Sequence, residues 1–131
     1  PENWTYPLIQ PKLIEKYLRV KNNSIIGATV TVTVDRPLGS YHPEYKNMYY
    51  PINYGYIEGV MAPDGEEQDA YILGVNEPVG KFTGKIIAIV HRKDDVEEKW
   101  VVVPDGMMFS KDEIRQQIYF QEQYFDSEIV M

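Results

Sequence analysis

Four carboxylates lie close together near the middle of the chain, at Asp64, Glu66, Glu67 and Asp69. Acidic groups this near to one another repel, and the repulsion is costly unless a cation neutralises them. Oxygen ligands on a loop suit a hard ion such as Mg²⁺ or Mn²⁺ rather than zinc or copper. The cluster therefore predicts a site for a divalent cation.

The cluster follows a tyrosine-rich run, YPINYGY at residues 50–56. Its hydroxyl groups and the Asn53 amide are donors that could hold an anion on the far side of the metal. Together the two segments predict a metal-dependent enzyme that acts on phosphoryl groups. Simpler explanations exist, because acidic loops are often only solvated, Asp64 and Gly65 after Pro63 favour a plain turn, and strand tyrosines commonly pack half-buried.

Several short strands must position these side chains. Valines and an alanine alternate with threonines through residues 25–34, and this period of two predicts a strand with one buried face. Apolar runs at residues 70–73 and 85–92 predict two more strands. Gly, Pro and Asp turns separate the runs, which is typical of a small closed β-barrel.

Two segments have helical spacing. Residues 11–22 alternate apolar and charged side chains after Pro11, and they follow an aromatic, apparently extended arm at residues 1–10. Ser110 and Glu113 form a capping-box pattern that opens a second helix near the end of the chain. The predicted fold is mainly β with flanking helices (α+β), an OB-like closed barrel with an N-terminal and a C-terminal helix.

Length and composition limit the possibilities. The 131 residues predict a single domain, with an arm and helix at 1–24, the barrel at 25–104 and a helix and tail at 105–131. A net charge of −7 argues against nucleic acid as a partner, although 13% aromatic content would allow base stacking. We find no membrane-length apolar run and no signal-peptide pattern at the start, and we expect a cytoplasmic protein. The apolar arm favours a homo-oligomer.

The motifs resemble those of a known family, the soluble, magnesium-dependent inorganic pyrophosphatases of family I. Residues 50–56 are similar to the family's Tyr-Pro-x-Asn-Tyr-Gly-Tyr run, and residues 64–69 are similar to its Asp-x-Asp-Pro/Glu-apolar-Asp signature. Asp94, Glu97 and Lys99, ahead of a strand that ends in Val-Pro, resemble a third motif. The resemblance extends over residues 49–104, a little under half of the chain.

The resemblance implies hydrolysis of pyrophosphate, or of a related small phosphate compound, at a cavity on one side of the barrel. It implies Mg²⁺ as cofactor, with Mn²⁺ as a second choice, and Glu66 as the group that takes a proton from the attacking water. The implied metal ligands are Asp64, Asp69, Asp94 and Glu97.

The resemblance also implies substrate-binding residues. Lys99 and Tyr54 would contact the attacked or leaving phosphate, with Lys46 and Arg36 as weaker candidates. Tyr124 matches a tyrosine that the family presents to a phosphate from its last helix.

The chain departs from the family at several of these positions. Glu66 and Glu97 each replace an aspartate, and Phe125 stands where the family has a lysine. A metal-proximal glutamate upstream has no clear counterpart, with Glu44 and Glu58 as candidates. A second function therefore stays open: a pyrophosphatase-like protein that binds a metal or a phosphate compound, or that hydrolyses a different phosphoanhydride.

Overall fold

The computed structural model describes residues 25–93 and 97–131, so the predicted arm and first helix at 1–24 and the candidate ligand Asp94 lie outside the described residues. Six strands and one helix form the described part of the chain. The elements are β1 (Thr29–Arg36), β2 (Asn53–Met61), β3 (Glu67–Ile72), β4 (Lys81–Arg92), β5 (Glu98–Val103), α1 (Lys111–Glu122) and β6 (Ser127–Val130). No helix in these ranges is long and apolar enough to cross a membrane.

The first five strands close into a barrel. They follow the order β1-β2-β3-β5-β4, and β4 returns to pair with β1. All neighbours are antiparallel except β3 and β5, which run parallel. This architecture confirms the prediction of a mainly β, closed barrel with a helix near its C-terminal end.

Two apolar clusters lie on opposite faces of the same strands. One gathers Val32, Ile57, Ile72 and Trp100 with neighbours from all five barrel strands, and it fills the barrel interior. The other lies on the outer face of β3, β4 and β5 and is covered by α1; its buried residues are Ile52, Tyr71, Leu73, Ile87, Ala88, Val90, Val101, Val103, Ile114, Ile118 and Ile129. Burial on both faces explains the continuous apolar runs of β4 and β5, which lack the alternation of β1.

Strand alternation assigns the side chains of β3 to these two faces. Ala70 and Ile72 belong to the interior cluster, whereas Tyr71 belongs to the cluster under the helix. Asp69 shares the face of Tyr71 because residues two apart in a strand point the same way. The acidic residue is therefore directed outward, beside the helix.

The ends of the chain's elements differ in detail from the sequence pattern. A turn occupies residues 25–27, so β1 begins only at Thr29, and β4 begins earlier than expected because Lys81 to Lys85 pair with β1. Ser110 caps α1 with the reciprocal capping box, as predicted. The helix ends at Glu122, and the expected tail contains β6, which pairs with β4 through buried Ile129.

Gly55 marks the closest approach between two barrel strands. A Cβ added there would lie 2.0 Å from the backbone oxygen of Thr33 on β1. No side chain fits at that distance unless the strands separate. The glycine of the YPINYGY run is therefore required by strand packing, whatever the tyrosines around it do.

We expect Gly55→Ala to lower the free energy of unfolding by about 2 kcal/mol, the usual scale for an overpacked site. Urea unfolding followed by tryptophan fluorescence measures the change. Gly80→Ala is the matched control, since nothing lies within 4 Å of its added Cβ. Equal stability of the two variants would contradict the assignment.

Candidate functional site

A cavity of about 750 Å³ opens on the outer face of the barrel, beside the end of α1. Its lining combines three cations, two carboxylates and a wall of aromatic and polar groups from five strands, the helix and two loops. The lining residues are Asp35, Arg36, His42, Tyr45, Asn47, Met48, Tyr50, Tyr54, Asp69, Arg92, Lys99, Gln121, Tyr124 and Phe125. The cavity is the size of an ordinary small-ligand pocket.

Strand register brings the charged residues of the predicted motifs together. Asp69 on β3 and Lys99 on β5 are direct partners in the parallel pair. Arg36 at the end of β1 is the partner of Tyr54 on β2. The backbone pairing alone therefore places these four side chains around one cavity.

Lys99 is buried, with 4% of its side chain exposed, and it binds two carboxylates. Its Nζ donates to Asp69 Oδ2 at 2.6 Å and to Glu97 Oε2, and it lies 5.6 Å from the centre of the Tyr54 ring. Burial lowers the pKa of Lys99, but the Tyr54 oxygen, Asp69 and Glu97 outweigh that effect and hold the pKa above its usual value. The ammonium therefore stays charged.

Tyr54 provides a neutral hydroxyl at the same place. Burial raises the pKa of Tyr54 well above its ordinary value, and Asp69 adds to the rise while Lys99 partly opposes it. A phenol held neutral is a hydrogen-bond donor. Tyr54 can therefore donate to an anion without adding negative charge to the pocket.

Arg92, at the end of β4, makes three hydrogen bonds to two carboxylates. Its Nε and Nη2 donate to the two oxygens of Glu122 at 3.1 and 2.8 Å, and its Nη1 donates to Glu97 Oε1 at 2.9 Å. Burial lowers the pKa of Arg92, but Glu122 and Glu97 raise it further, so the net shift is upward. The guanidinium connects the helix to the strand that carries Lys99.

Glu122 closes the last turn of α1, where a carboxylate opposes the helix dipole. Besides Arg92, its oxygens accept hydrogen bonds from Tyr71 and Ser127, both at 2.5 Å. Burial raises the pKa of Glu122, yet these hydrogen bonds overcome the effect and lower the pKa below its usual value. The carboxylate is therefore ionised and fully engaged.

Aromatic rings line the cavity beside Arg92. Phe125 stacks on Arg92, with the guanidinium carbon 3.6 Å from the ring centre. Its neighbour Tyr124 is 72% exposed at the mouth of the cavity. The position that resembles a family lysine thus holds a ring, and the cation on this side of the cavity comes from Arg92 instead.

Arg36 differs from the other two cations. It contacts the Asp35 carboxylate at 3.5 Å and the Asp35 carbonyl at 3.2 Å. Its buried Nε has no hydrogen-bond partner within the described residues. The Arg36 side chain lines the cavity and is 27% exposed, whereas Lys46 is exposed and does not belong to the lining.

Two carboxylates of the acidic signature lie away from the cavity lining. Asp64 and Glu66 occupy the exposed turn between β2 and β3, where Asp64 Oδ1 accepts from the Glu66 backbone nitrogen at 3.0 Å. Glu67 is also exposed and binds the Gly59 backbone nitrogen. Of the signature carboxylates, Asp69 alone lines the cavity.

The described carboxylates do not fit a resident divalent cation. No group of three or more acidic or histidine side chains in residues 25–93 and 97–131 is arranged to hold a metal ion. Lys99 lies between Asp69 and Glu97, and Arg92 lies between Glu97 and Glu122. Side-chain cations therefore already neutralise the acidic groups of the cavity.

Sequence reasoning missed Arg92, Glu122 and Tyr71 as parts of the site. Arg92 belonged to a polar run that resembles a solvated loop, and Tyr71 to an apolar strand. The one available signal was Glu122 in the last helical turn, where a cation would be expected. In contrast, Asn53 is fully buried, and its amide bonds the backbone of Leu38, Glu77 and Val79, so it joins two loops.

Comparisons with known proteins agree with the sequence motifs. The profile of a family described as inorganic pyrophosphatase matches residues 20–122. A curated inorganic pyrophosphatase from Halalkalibacterium halodurans is 28% identical over 103 residues, covering 73% of this chain and 61% of the relative. The aligned part of the chain thus spans about three fifths of that relative's length.

Solved structures support the fold. An inorganic pyrophosphatase from Ehrlichia chaffeensis superposes with a TM-score of 0.60 at 19% identity, covering 79% of this chain and 85% of that one. The enzyme from Neisseria gonorrhoeae gives a TM-score of 0.57 at 19% identity, covering 75% and 74%. At this identity the likeness establishes the barrel and its helix.

We expect Glu122→Gln to lower the free energy of unfolding by about 3 kcal/mol at neutral pH, because it leaves Arg92 buried beside a neutral amide. Because folding lowers the pKa of Glu122, its contribution is complete above the ordinary value of 4.5 and is lost as pH falls below it. The gap between variant and wild type should therefore shrink in acid, as denaturant unfolding at several pH values measures. Exposed Glu58→Gln is the control, and a pH-independent gap would contradict the assignment.

Proposed function

This chain belongs to the inorganic pyrophosphatase family, and we propose that it hydrolyses inorganic pyrophosphate to two phosphates in the presence of Mg²⁺, with Mn²⁺ as a second cation. One observation carries the proposal. Tyr54, Asp69 and Lys99 come from three separate motif segments, and all three side chains line the same cavity. Such convergence is expected of a ligand site, whereas motif residues that served packing alone would have no reason to meet there.

Three side-chain cations of the cavity lining could contact an anionic substrate. Arg36, Arg92 and Lys99 line it against two carboxylates, Asp35 and Asp69, although the chain as a whole carries a net charge of −7. Buried cations attract an anion more strongly than exposed ones because water screens them less. The neutral hydroxyl of Tyr54 adds a hydrogen-bond donor.

The proposed reaction transfers a phosphoryl group to water. The water oxygen attacks one phosphorus atom while the bridging P–O bond breaks, and the bridging oxygen leaves with the second phosphate. The signature position assigns acceptance of the water's proton to Glu66, although its side chain lies on the exposed turn outside the cavity lining. Lys99 offsets the charge that develops on the phosphate oxygens, Tyr54 donates a hydrogen bond to them, and Tyr124 closes the mouth of the cavity.

The metal ligands stay predictions of the resemblance. Asp94 lies outside the described residues, Asp64 is on an exposed turn, and Asp69 and Glu97 both bind Lys99. Lys46, a further predicted phosphate ligand, also stays a prediction. What the described geometry supports directly is recognition of the anion.

A second candidate function rests on the same ion pairs. Because Asp69 and Glu97 are engaged by Lys99, and Glu122 by Arg92, the cavity could bind a small phosphate compound without hydrolysing it. The replacement of the family's aspartate by Glu66 also favours binding without hydrolysis, since the added methylene moves the carboxylate by about 1.5 Å. Pyrophosphate binding in calorimetry without phosphate release would favour this candidate.

We expect the purified chain to release phosphate from pyrophosphate with Mg²⁺, and Asp69→Asn to reduce the rate at least about a hundredfold, because the change frees Lys99 from its defined position. A colorimetric phosphate assay measures both rates. No release above the variant with Mg²⁺ or Mn²⁺ would refute hydrolysis as proposed.

Two adjacent residues provide an internal control for the proton acceptor. Glu66 ends the turn and Glu67 begins β3, and both are exposed, but the signature assigns the role to Glu66 alone. Glu66→Gln should therefore remove most of the turnover, whereas Glu67→Gln should retain it. Equal effects would show that the turn contributes through its charge or shape.

We also propose a homo-oligomer, located in the cytoplasm. Several aromatic side chains are exposed on the described surface, and they include Tyr41, Tyr45, Tyr49 and Tyr119. Exposed apolar surface of this kind often marks a protein contact. Sedimentation equilibrium should give a mass that is a multiple of the chain mass, and a monomer at every concentration would contradict the proposal. Cell fractionation checks the location.

A further inference from the structure

Five charged side chains on the outer face of the barrel alternate in sign along one line, and we call them the ion-pair chain. The order is Asp69, Lys99, Glu97, Arg92 and Glu122. Each cation bridges two carboxylates: Nζ of Lys99 contacts Asp69 at 2.6 Å and also Glu97, while Arg92 contacts Glu97 at 2.9 Å and Glu122 at 2.8 Å. Every neighbour in the chain is thus of opposite charge.

The two cations are the most buried members together with Glu122. The side chains of Lys99 and Arg92 are 4% and 5% exposed, compared with 34% for Asp69 and 25% for Glu97. Ions so deeply buried are retained only when well paired, because removing one partner leaves an uncompensated charge. The cations therefore stay in place, and the more exposed carboxylates turn inward to meet them.

This arrangement decides what a divalent cation would meet in the cavity. To bridge Asp69 and Glu97 it would have to displace Lys99, and to reach Glu97 and Glu122 it would have to displace Arg92. A unit charge about 4 Å from another in a partly buried site interacts with about 4 kcal/mol, so added positive charge beside both side chains is strongly disfavoured. The carboxylates are accordingly poor ligands for a free metal ion.

An anion meets the opposite situation. Arg36, Arg92 and Lys99 all line the cavity and have hydrogen-bond donors for an anion, although Glu97 and Glu122 already balance the charges of Lys99 and Arg92. Phe125 covers one face of the Arg92 guanidinium at 3.6 Å, which limits the approach of a ligand to the remaining edge and face. These cations are the groups of the cavity that a diphosphate would contact.

We propose that Lys99 and Arg92 take the place of a resident divalent cation between Asp69, Glu97 and Glu122, so that these three carboxylates bind no free metal ion and meet a divalent cation only as a complex with the diphosphate. Part of this inference, the identity of the anion, rests on the proposed function. The pairing of the carboxylates does not. Mg²⁺ commonly reaches protein sites through substrate phosphates with one or two carboxylates, and partly exposed Asp69 is available for that.

The test follows free Mn²⁺ by its electron paramagnetic resonance signal while the full chain is titrated without any anion. The wild type should show no saturable binding that depends on Asp69 or Glu97 up to about 1 mM Mn²⁺, as Asp69→Asn and Glu97→Gln controls reveal. Adding methylene diphosphonate, which cannot be hydrolysed, should then cause Mn²⁺ uptake. Saturable uptake by the wild type without the anion, lost in Asp69→Asn, would overturn the proposal.

Removing a side-chain cation gives the complementary result. Arg92→Gln should create a Mn²⁺ site at least about tenfold tighter than any in the wild type, because Glu97 and Glu122 then lose the cation that lies between them. The double variant Arg92→Gln with Glu122→Gln restores the charge balance and should lose that site. If Arg92→Gln does not fold, the wild-type titration with its two controls still decides the matter.

The titrations separate this inference from the proposed function. If the diphosphonate fails to bind with or without Mn²⁺, the proposed substrate is wrong, whereas the anion-free titration still reports whether the carboxylates hold a metal. Mn²⁺ binding that survives both Asp69→Asn and Glu97→Gln lies elsewhere and supports the inference.

Discussion

The buried ion pair between Arg92 and Glu122 is the interaction on which the rest of the site depends. It ties the end of β4 to the end of α1, and hydrogen bonds from Tyr71 and Ser127 attach β3 and β6 to the same carboxylate. A carboxylate at a helix C-terminus is unfavourable alone, and the guanidinium of Arg92 offsets that effect. The cavity wall is built from the segments that this one carboxylate holds together.

The two faces of the barrel strands carry different side chains, because the interior face is apolar and the charged groups lie on the outer face. The interior cluster of Val32, Ile57, Ile72 and Trp100 needs only apolar side chains of suitable volume. The charges lie on the outer face, where the helix covers part of the strands and leaves the cavity beside it.

Much of the fold was predictable from local patterns. The alternation in β1 and the capping box at Ser110 are local signals, and both were confirmed. The pairing of β3 with β5, by contrast, is a contact between distant segments that no local period encodes. β6 was missed for a similar reason, because four residues are too short to show a period and only pairing with β4 makes them a strand.

Site residues that belong to a sequence motif were predictable, whereas residues that meet only through a contact in the fold were not. Tyr54, Asp69 and Lys99 could be named from the sequence because the resemblance extends over their segments, and they line one cavity. Arg92 and Glu122 are thirty positions apart, and the one signal, a carboxylate in the last turn of the helix, does not identify the cation that it meets. Asp64 and Glu66 lie on an exposed turn, and this position does not reveal a catalytic role. The reaction rates of the variants test that role.

The closure of the barrel has a thermodynamic consequence for ligand binding. The lining of the cavity comes from every barrel strand and from α1, so the binding surface exists only when the barrel is closed. A ligand that binds only this state stabilises the whole domain by mass action, in proportion to the logarithm of its concentration above the dissociation constant. The melting temperature of the protein should thus rise with the concentration of any ligand that the cavity binds. A panel of phosphate compounds could be ranked by the size of this rise.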